Sequence, residues 1–280
     1  MTRLNEKQDV GVIDFDRMFE DYAMEWFKEH GGEYESDEEM EEAMPDVYEQ
    51  WASSPSRKLG GIAPRAFFDS IEDPDRLVAI LVGTAGADCN PCSLLLDKIA
   101  ETPACEPLLA ALAEKPSSSV KLCLICMSLL EEAGGANVPV GRCLQWIKDE
   151  TADEELRECA VEALKKRAGA VKEELFAALK DASIGLKTVI AEILVAADKD
   201  ERTFKLLTEL FASGENIPLY AQYLGMYGDE RAAGVLYRAL DTCDYADYIE
   251  VKNAIERLGG VVDDSARDFS DDETYHLLKK

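Results

Sequence analysis

The feature that most constrains the fold of this chain is an apolar pattern of helical spacing that recurs about every 30 residues. Its anchors are separated by 34, 30, 30 and 31 positions and are Leu130, Leu164, Leu194, Leu224 and Ile255. The positions one and four residues before each anchor are also apolar or aromatic, so each helix carries three such residues on one face. A period of this length predicts a stack of similar helical units, because one unit cannot bury its apolar face alone.

A second helix is predicted after each anchor helix and a polar turn, because a leucine pair spaced i, i+4 follows. The pairs are Leu175/Leu179, Leu206/Leu210 and Leu236/Leu240. Each unit is therefore a helical hairpin, and proline-initiated segments upstream predict helices over 74–84, 91–100 and 107–113. No sustained alternation of period two appears. The sequence predicts an all-α fold, an α-α superhelix, with residues 73–280 as the helical-repeat domain.

Residues 1–72 are predicted to form a separate acidic, helical segment. Residues 1–52 hold 17 acidic and 4 basic residues, a net charge of −13 out of −27 for the chain. Ser36 and Glu39 form a capping box at the start of a helix that we expect to run to Ala52. At the other end of the chain, the sequence from Ser270 to Glu273 predicts a second capping box and a last short helix.

The composition limits the classes of partner and the cell compartment. A net charge of −27 and a pI near 4.4 repel nucleic acids, so we expect a neutral or basic protein partner. The apolar runs are too short to span a membrane, and residues 1–10 contain no signal-peptide core. We therefore expect a cytoplasmic protein with reduced thiols, although the sequence leaves its oligomeric state open.

The hairpins of about 30 residues resemble HEAT-like (armadillo-type) repeats, especially the short repeats of phycobilisome-lyase-type proteins. The resemblance covers about residues 119–260. HEAT-like units often carry a loop aspartate followed by a basic residue, which Asp198 and Arg202 match and which Asp229 and Arg231 match loosely; Gly169 replaces the aspartate before Lys172. The resemblance implies a scaffold that serves many functions, and the inner face of such arrays is usually lined by the second helices.

No catalytic constellation, metal site or cofactor site is predicted. Deoxyhypusine hydroxylase, an enzyme on a HEAT-like scaffold, binds iron through His-Glu dipeptides, whereas His30 and His276 are followed by Gly and Leu. The chain also has no P-loop and no G-x-G-x-x-G motif. Cys123 and Cys126 lie inside a predicted helix, which favours core cysteines over a zinc site shared with Cys89 and Cys92.

Cys92 is the residue on which a catalytic alternative would depend. Cys89 and Cys92 form a Cys-x-x-Cys pair at the start of a predicted helix, where the helix dipole would lower the pKa of a thiol. This leaves open a thiol-dependent protein or a catalytic accessory subunit of the lyase type.

The leading prediction is a non-enzymatic scaffold that binds a protein partner on the inner face of an α-solenoid. Aromatic and basic residues of the second helices and their loops are the candidate binding residues: Trp146, Lys172, Arg202, Arg231, Tyr237 and Arg238. A competing interpretation, which we favour for the basic residues, is ion pairing between repeats with Glu173, Glu201 and Glu230.

Overall fold

A computed structural model describes residues 13–34, 36–87, 89–115, 117–263 and 267–278. Sixteen α-helices and four short 3-10 turns account for its regular structure, and no strand occurs in these ranges. The helices are α1 Phe15–His30, α2 Asp37–Ser53, α3 Pro64–Asp69, α4 Pro74–Gly86, α5 Ser93–Ala100, α6 Glu106–Glu114, α7 Val120–Glu132, α8 Val140–Lys148, α9 Glu154–Lys165, α10 Lys172–Ala178, α11 Ile184–Val195, α12 Glu201–Ser213, α13 Ile217–Tyr227, α14 Ala233–Leu240, α15 Tyr245–Arg257 and α16 Glu273–Leu278. The predicted all-α class is confirmed.

The chain divides into two compact units, residues 1–142 and 143–280. In the second unit, helices that carry the anchors pack on one another in chain order, α9 on α11, α11 on α13 and α13 on α15. The second helices α10, α12 and α14 each pack against the anchor helix that follows them. This is a stack of helical hairpins, the arrangement predicted from the 30-residue period. The predicted boundary at residue 72 stays a prediction.

The repeat pattern identifies the core correctly. All fifteen anchor and flanking positions are buried, including Tyr220 and Tyr223, whose hydroxyls have hydrogen-bonding partners in Thr188 and Glu192. The second-helix leucines are also turned inward, although Leu179 and Leu240 at the helix ends are half-buried. A period of 3.6 residues thus predicts which side chains leave water, because the same positions of each helix meet the neighbouring helices.

In the first unit, the acidic helices pack onto the helices that follow them. The helix α2 packs on α1 and α3, and α3 packs on α5. The ring of Phe15 lies 4.7 Å from that of Phe68, and the Ser93 hydroxyl at the start of α5 donates a hydrogen bond to the Tyr48 hydroxyl at 2.6 Å. The two acidic helices α1 and α2 therefore form aromatic contacts and a hydrogen bond with later helices of the first unit.

The predicted helix caps are correct at one site and wrong at the other. The backbone N–H of Glu39 donates to the hydroxyl of Ser36 at 3.2 Å, as a capping box requires. The last helix is capped by Asp272 rather than Ser270, because the Asp272 carboxylate accepts from the backbone N–H groups of Thr274 and Tyr275. That helix accordingly begins at Glu273.

None of the helices in the described ranges has both the length and the apolarity that a membrane crossing requires. Residues 1–10, on which the prediction of no signal peptide rests, lie outside the described ranges.

Candidate interaction surface

Arg202 links two successive hairpins of the second unit. It lies in the first turn of α12, where Asp200 accepts from its backbone N–H at 2.9 Å and from its guanidinium at 2.9 to 3.1 Å. The guanidinium also donates two hydrogen bonds, of 2.7 and 2.9 Å, to Glu173 in the preceding hairpin. It lies over the ring of Phe176 at 3.9 Å. Three groups, the carboxylates of Asp200 and Glu173 and the ring of Phe176, therefore fix the orientation of one arginine.

Arg231 repeats this arrangement 29 residues later. Its guanidinium pairs with Asp229 two residues before it, and it donates to both carboxylate oxygens of Glu201 at 2.9 and 3.2 Å. It lies over the ring of Phe204 at 4.2 Å. We call the groups around Arg202 and Arg231 the arginine ladder, since each arginine joins its own loop to the hairpin before it.

The arginine ladder explains how the loop charges are balanced. Hydrogen bonds from the side chain and the backbone N–H of Arg202 hold the pKa of Asp200 well below its ordinary value. The hydrogen bond from Arg202 likewise lowers the pKa of Glu173, and that from Arg231 lowers the pKa of Asp229. The carboxylates of Asp200, Glu173 and Asp229 are therefore ionised and offset the charges of the two arginines.

Lys172 lies at the edge of the same ladder. Its ammonium group is 3.4 Å from the Asp198 carbonyl and 3.7 Å from the Asp200 carboxylate. The loop carboxylate that binds Arg202 is that of Asp200, whereas the loop aspartate that matches the repeat pattern is Asp198. Ion pairing between repeats is confirmed for Glu173 and Glu201, whereas Glu230 forms no ion pair within the described ranges.

Tyr237 and Arg238 lie next to each other on the surface of α14. Tyr237 is 40% exposed, and its hydroxyl both donates to the carbonyl and accepts from the N–H of Val261, at 3.0 Å each. Arg238 is exposed and has no ion pair or side-chain hydrogen bond with any described residue. This pair is the part of the predicted binding set that the structure leaves accessible without competing ion pairs.

Trp146 does not share that surface. It is 4% exposed in α8, and Cys143 and Ile147 of the same helix are also buried. Trp146 lies three residues after the buried Cys143 and so shares its face of the helix, and its burial removes it from the surface that a partner could contact.

The thiol of Cys92 has a raised pKa, although its position at the start of α5 predicts a lowered one. Burial of Cys92 raises the pKa of its thiol to about 11, and burial of Cys126 raises the pKa of that thiol to about 12. The expectation of a lowered pKa at Cys92 is wrong, because the loss of water outweighs the helix N-terminus. Cys123 and Cys126 are core residues as predicted, and no disulfide joins any of the eight cysteines.

The second unit contains a groove that the sequence did not predict. It has a volume of about 480 Å³, and Ile147, Val161 and Val189 contribute its apolar lining. Its charged lining consists of Glu154, Arg157, Glu158, Glu162 and Glu192. The available signal was the spacing of three glutamates at i, i+4 and i+8 on α9. In a chain with 57 acidic residues, this spacing alone does not stand out.

Within the ranges that the structure describes, no group of three or more His, Cys, Asp and Glu side chains is placed to hold a metal ion. Comparison of the chain with protein-family models, curated proteins and solved structures found no match.

Proposed function

We propose that this protein is a non-enzymatic scaffold that binds a protein partner through the second helices of its stacked hairpins. The observation that carries the proposal is the exposed pair of Tyr237 and Arg238 on α14. Tyrosine and arginine are the residue types that most often dominate binding energy at protein interfaces. Carboxylates occupy the basic residues of the arginine ladder, so within the predicted binding set Arg238 is the cation that a partner can use without breaking an ion pair of the described residues.

The rigidity of the surrounding hairpins supports this proposal. The Tyr237 hydroxyl bonds to the backbone of Val261, which holds the aromatic ring in place before a partner arrives. Arg231 lies in the short turn Glu230–Ala232 before α14 and is fixed by Glu201 and Asp229. A side chain that is already ordered loses less conformational entropy on binding.

The proposed partner is a protein with a neutral or basic surface overall and a local acidic or aromatic group opposite Arg238 and Tyr237. The net charge of −27 disfavours nucleic acid. The proposed place of action is the cytoplasm, where the cysteines would stay reduced.

A quantitative capture experiment tests the proposal with the full chain as bait. The wild type, Arg238→Glu and Arg57→Glu are each immobilised and exposed to a lysate of the source organism, and retained proteins are quantified by mass spectrometry. Arg57 is a matched control because it is exposed in the first unit, has no side-chain partner among described residues, and undergoes the same charge change.

We expect one protein to be retained by the wild type and by Arg57→Glu and to be depleted at least about tenfold with Arg238→Glu. Circular dichroism melts of all three chains confirm that each is folded. Equal retention by the three baits would contradict the proposal, and so would the absence of any specifically retained protein.

A further inference from the structure

The groove between α9 and α11 is the feature of the second unit that the arginine ladder and the Tyr237–Arg238 pair do not use. We propose that it binds a basic, amphipathic helix of a partner protein. The inference rests on the proposed scaffold function and adds a second surface with a defined partner chemistry.

The lining of the groove supplies an apolar strip. Val161 on α9 is almost completely buried, whereas Val189 on α11 is half-buried. Ile147 of α8 also lines the groove and is fully buried. An apolar side chain entering here would lose its own water contacts and cover those that Val189 keeps.

The rim of the groove is acidic on both sides. Glu154, Glu158 and Glu162 follow one another at intervals of four residues on α9, so their carboxylates form one row with a spacing of about 6 Å along the axis. Glu192 lies on the α11 side. A helix with lysine or arginine at intervals of four residues has the same spacing, and its charges would lie opposite this row.

The row is not neutralised equally along its length. Lys165 forms ion pairs with both Glu162 and Glu192, and Tyr223 donates a hydrogen bond to Glu192 at 3.3 Å. Glu154 and Glu158 have no ion pair or side-chain hydrogen bond with any described residue. Like charges four residues apart on a helix repel each other, so two partner cations would stabilise this end of α9.

Arg157 is another residue of the groove that has an unpaired polar group. It lines the groove, and its Nε is buried without a hydrogen-bond acceptor among the described residues. A buried donor without an acceptor is unfavourable, and a bound segment could bring an acceptor to this end of the groove.

The half-buried Val189 and the unpaired carboxylates of Glu154 and Glu158 favour a helix that is apolar on one side and basic beside it. An acidic helix would be repelled by the rim, and a wholly polar one would leave the exposed part of Val189 uncovered.

Fluorescence anisotropy with a designed probe tests the proposal on the full chain. The probe is a labelled 18-residue peptide with leucines on one helical face and lysines at intervals of four residues beside it. A peptide of the same composition, scrambled so that its lysines no longer share a face, reports non-specific attraction to a chain of charge −27.

Glu154→Gln/Glu158→Gln is the diagnostic variant, and Glu38→Gln/Glu42→Gln is its control. Both double variants remove two exposed glutamates four residues apart near the start of a helix, so both change the net charge equally. We expect the first to weaken binding of the ordered probe about fivefold, because two exposed ion pairs are lost, and the second to leave it unchanged.

Val189→Lys is a further variant that fills the groove with its own cation, and we expect it to abolish probe binding while the chain stays folded by circular dichroism. The proposal is overturned if both double variants weaken binding equally, if the scrambled peptide binds as tightly, or if the wild type binds neither. These outcomes are separate from the capture experiment, which depends on Arg238 and leaves the groove unchanged.

Discussion

Arg202 reaches back 29 residues to hold the carboxylate of Glu173 through two hydrogen bonds of 2.7 and 2.9 Å. The same guanidinium bonds to Asp200 and covers the ring of Phe176, so a single side chain joins the loop of one hairpin to the second helix of the preceding one. Arg231 does the same for the next pair of hairpins. In a stack where each unit contacts only its neighbours, such links contribute directly to coupling between units.

The Arg202–Glu173 pair provides a direct test of this coupling. We expect Arg202→Gln to lower the midpoint of urea unfolding more than Glu173→Gln does, because Arg202 also loses Asp200 and Phe176. The double variant should be less destabilised than the two single changes added together, and the difference should shrink at high salt.

The exposed pair Lys205–Glu209 is the control for that cycle. It lies four residues apart on α12 at 3.7 Å and joins no neighbouring hairpin. We expect its coupling to be near zero. Additive effects at Arg202 and Glu173 would mean that the ladder contributes nothing to coupling between the hairpins.

The ladder also predicts how stability depends on pH. Hydrogen bonds from Arg202 hold the pKa of Asp200 below its ordinary value of 3.8, and hydrogen bonding lowers the pKa of Glu173 as well. A lowered pKa in the folded state stabilises the protein above the unfolded pKa, and this contribution is lost as the pH falls through the folded pKa. We therefore expect the free energy of unfolding to decrease as the pH is lowered from about 5 towards 2.

Asp200→Asn should flatten that decrease, because the variant has no proton to take up at this position. Asp247 should affect stability in the opposite direction, because burial raises the pKa of its carboxyl. Its contribution to the free energy of unfolding is present at low pH and is lost as the pH rises through the raised pKa. Urea unfolding at a series of pH values, for the wild type and for Asp200→Asn, measures the effect. Identical slopes for the two chains would show that Asp200 does not contribute.

The sequence predicted the core better than it predicted the charged contacts. Burial of residues such as Leu194 and Val251 follows from local helical spacing, since the same face of each helix meets the next hairpin. The choice of Asp200 over Asp198 as the partner of Arg202 depends on where the loop backbone turns, which residue spacing does not specify. The groove between Val161 and Val189 likewise requires two helices to be placed side by side.

The direction of the Cys92 pKa shift shows the same limit. Its position before α5 is a local property that predicts a lower pKa, whereas its burial depends on how the rest of the unit packs around it. Desolvation is the larger effect, and it raises the pKa.

The close contact of α13 with α15 makes Gly225 a sensitive position. A Cβ added there would lie 2.9 Å from the Cα and 3.2 Å from the Cβ of Ala254. We expect Gly225→Ala to lower the free energy of unfolding by about 1–3 kcal/mol, because the two helix backbones must separate. Chemical denaturation measures the change.

Gly141→Ala is the matched control, since Gly141 is an exposed helical glycine with no atom within 4 Å of an added Cβ. We expect it to be neutral or stabilising by up to about 1 kcal/mol, because alanine has the higher helix propensity. If Gly225→Ala were as stable as Gly141→Ala, α13 and α15 would not pack as closely as the structure places them.

Alkylation of the native protein tests the state of the thiols. Burial raises the pKa of Cys92 to about 11 and that of Cys126 to about 12, so almost no thiolate is present at either site at pH 7.5. We expect iodoacetamide to leave both unmodified while it reacts with the half-buried Cys159, and to modify all eight cysteines in guanidinium chloride. Peptide mass spectrometry after timed quenching resolves each site. Rapid modification of Cys92 in the native protein would instead reveal an accessible, activated thiol and would favour the thiol-dependent function over the scaffold.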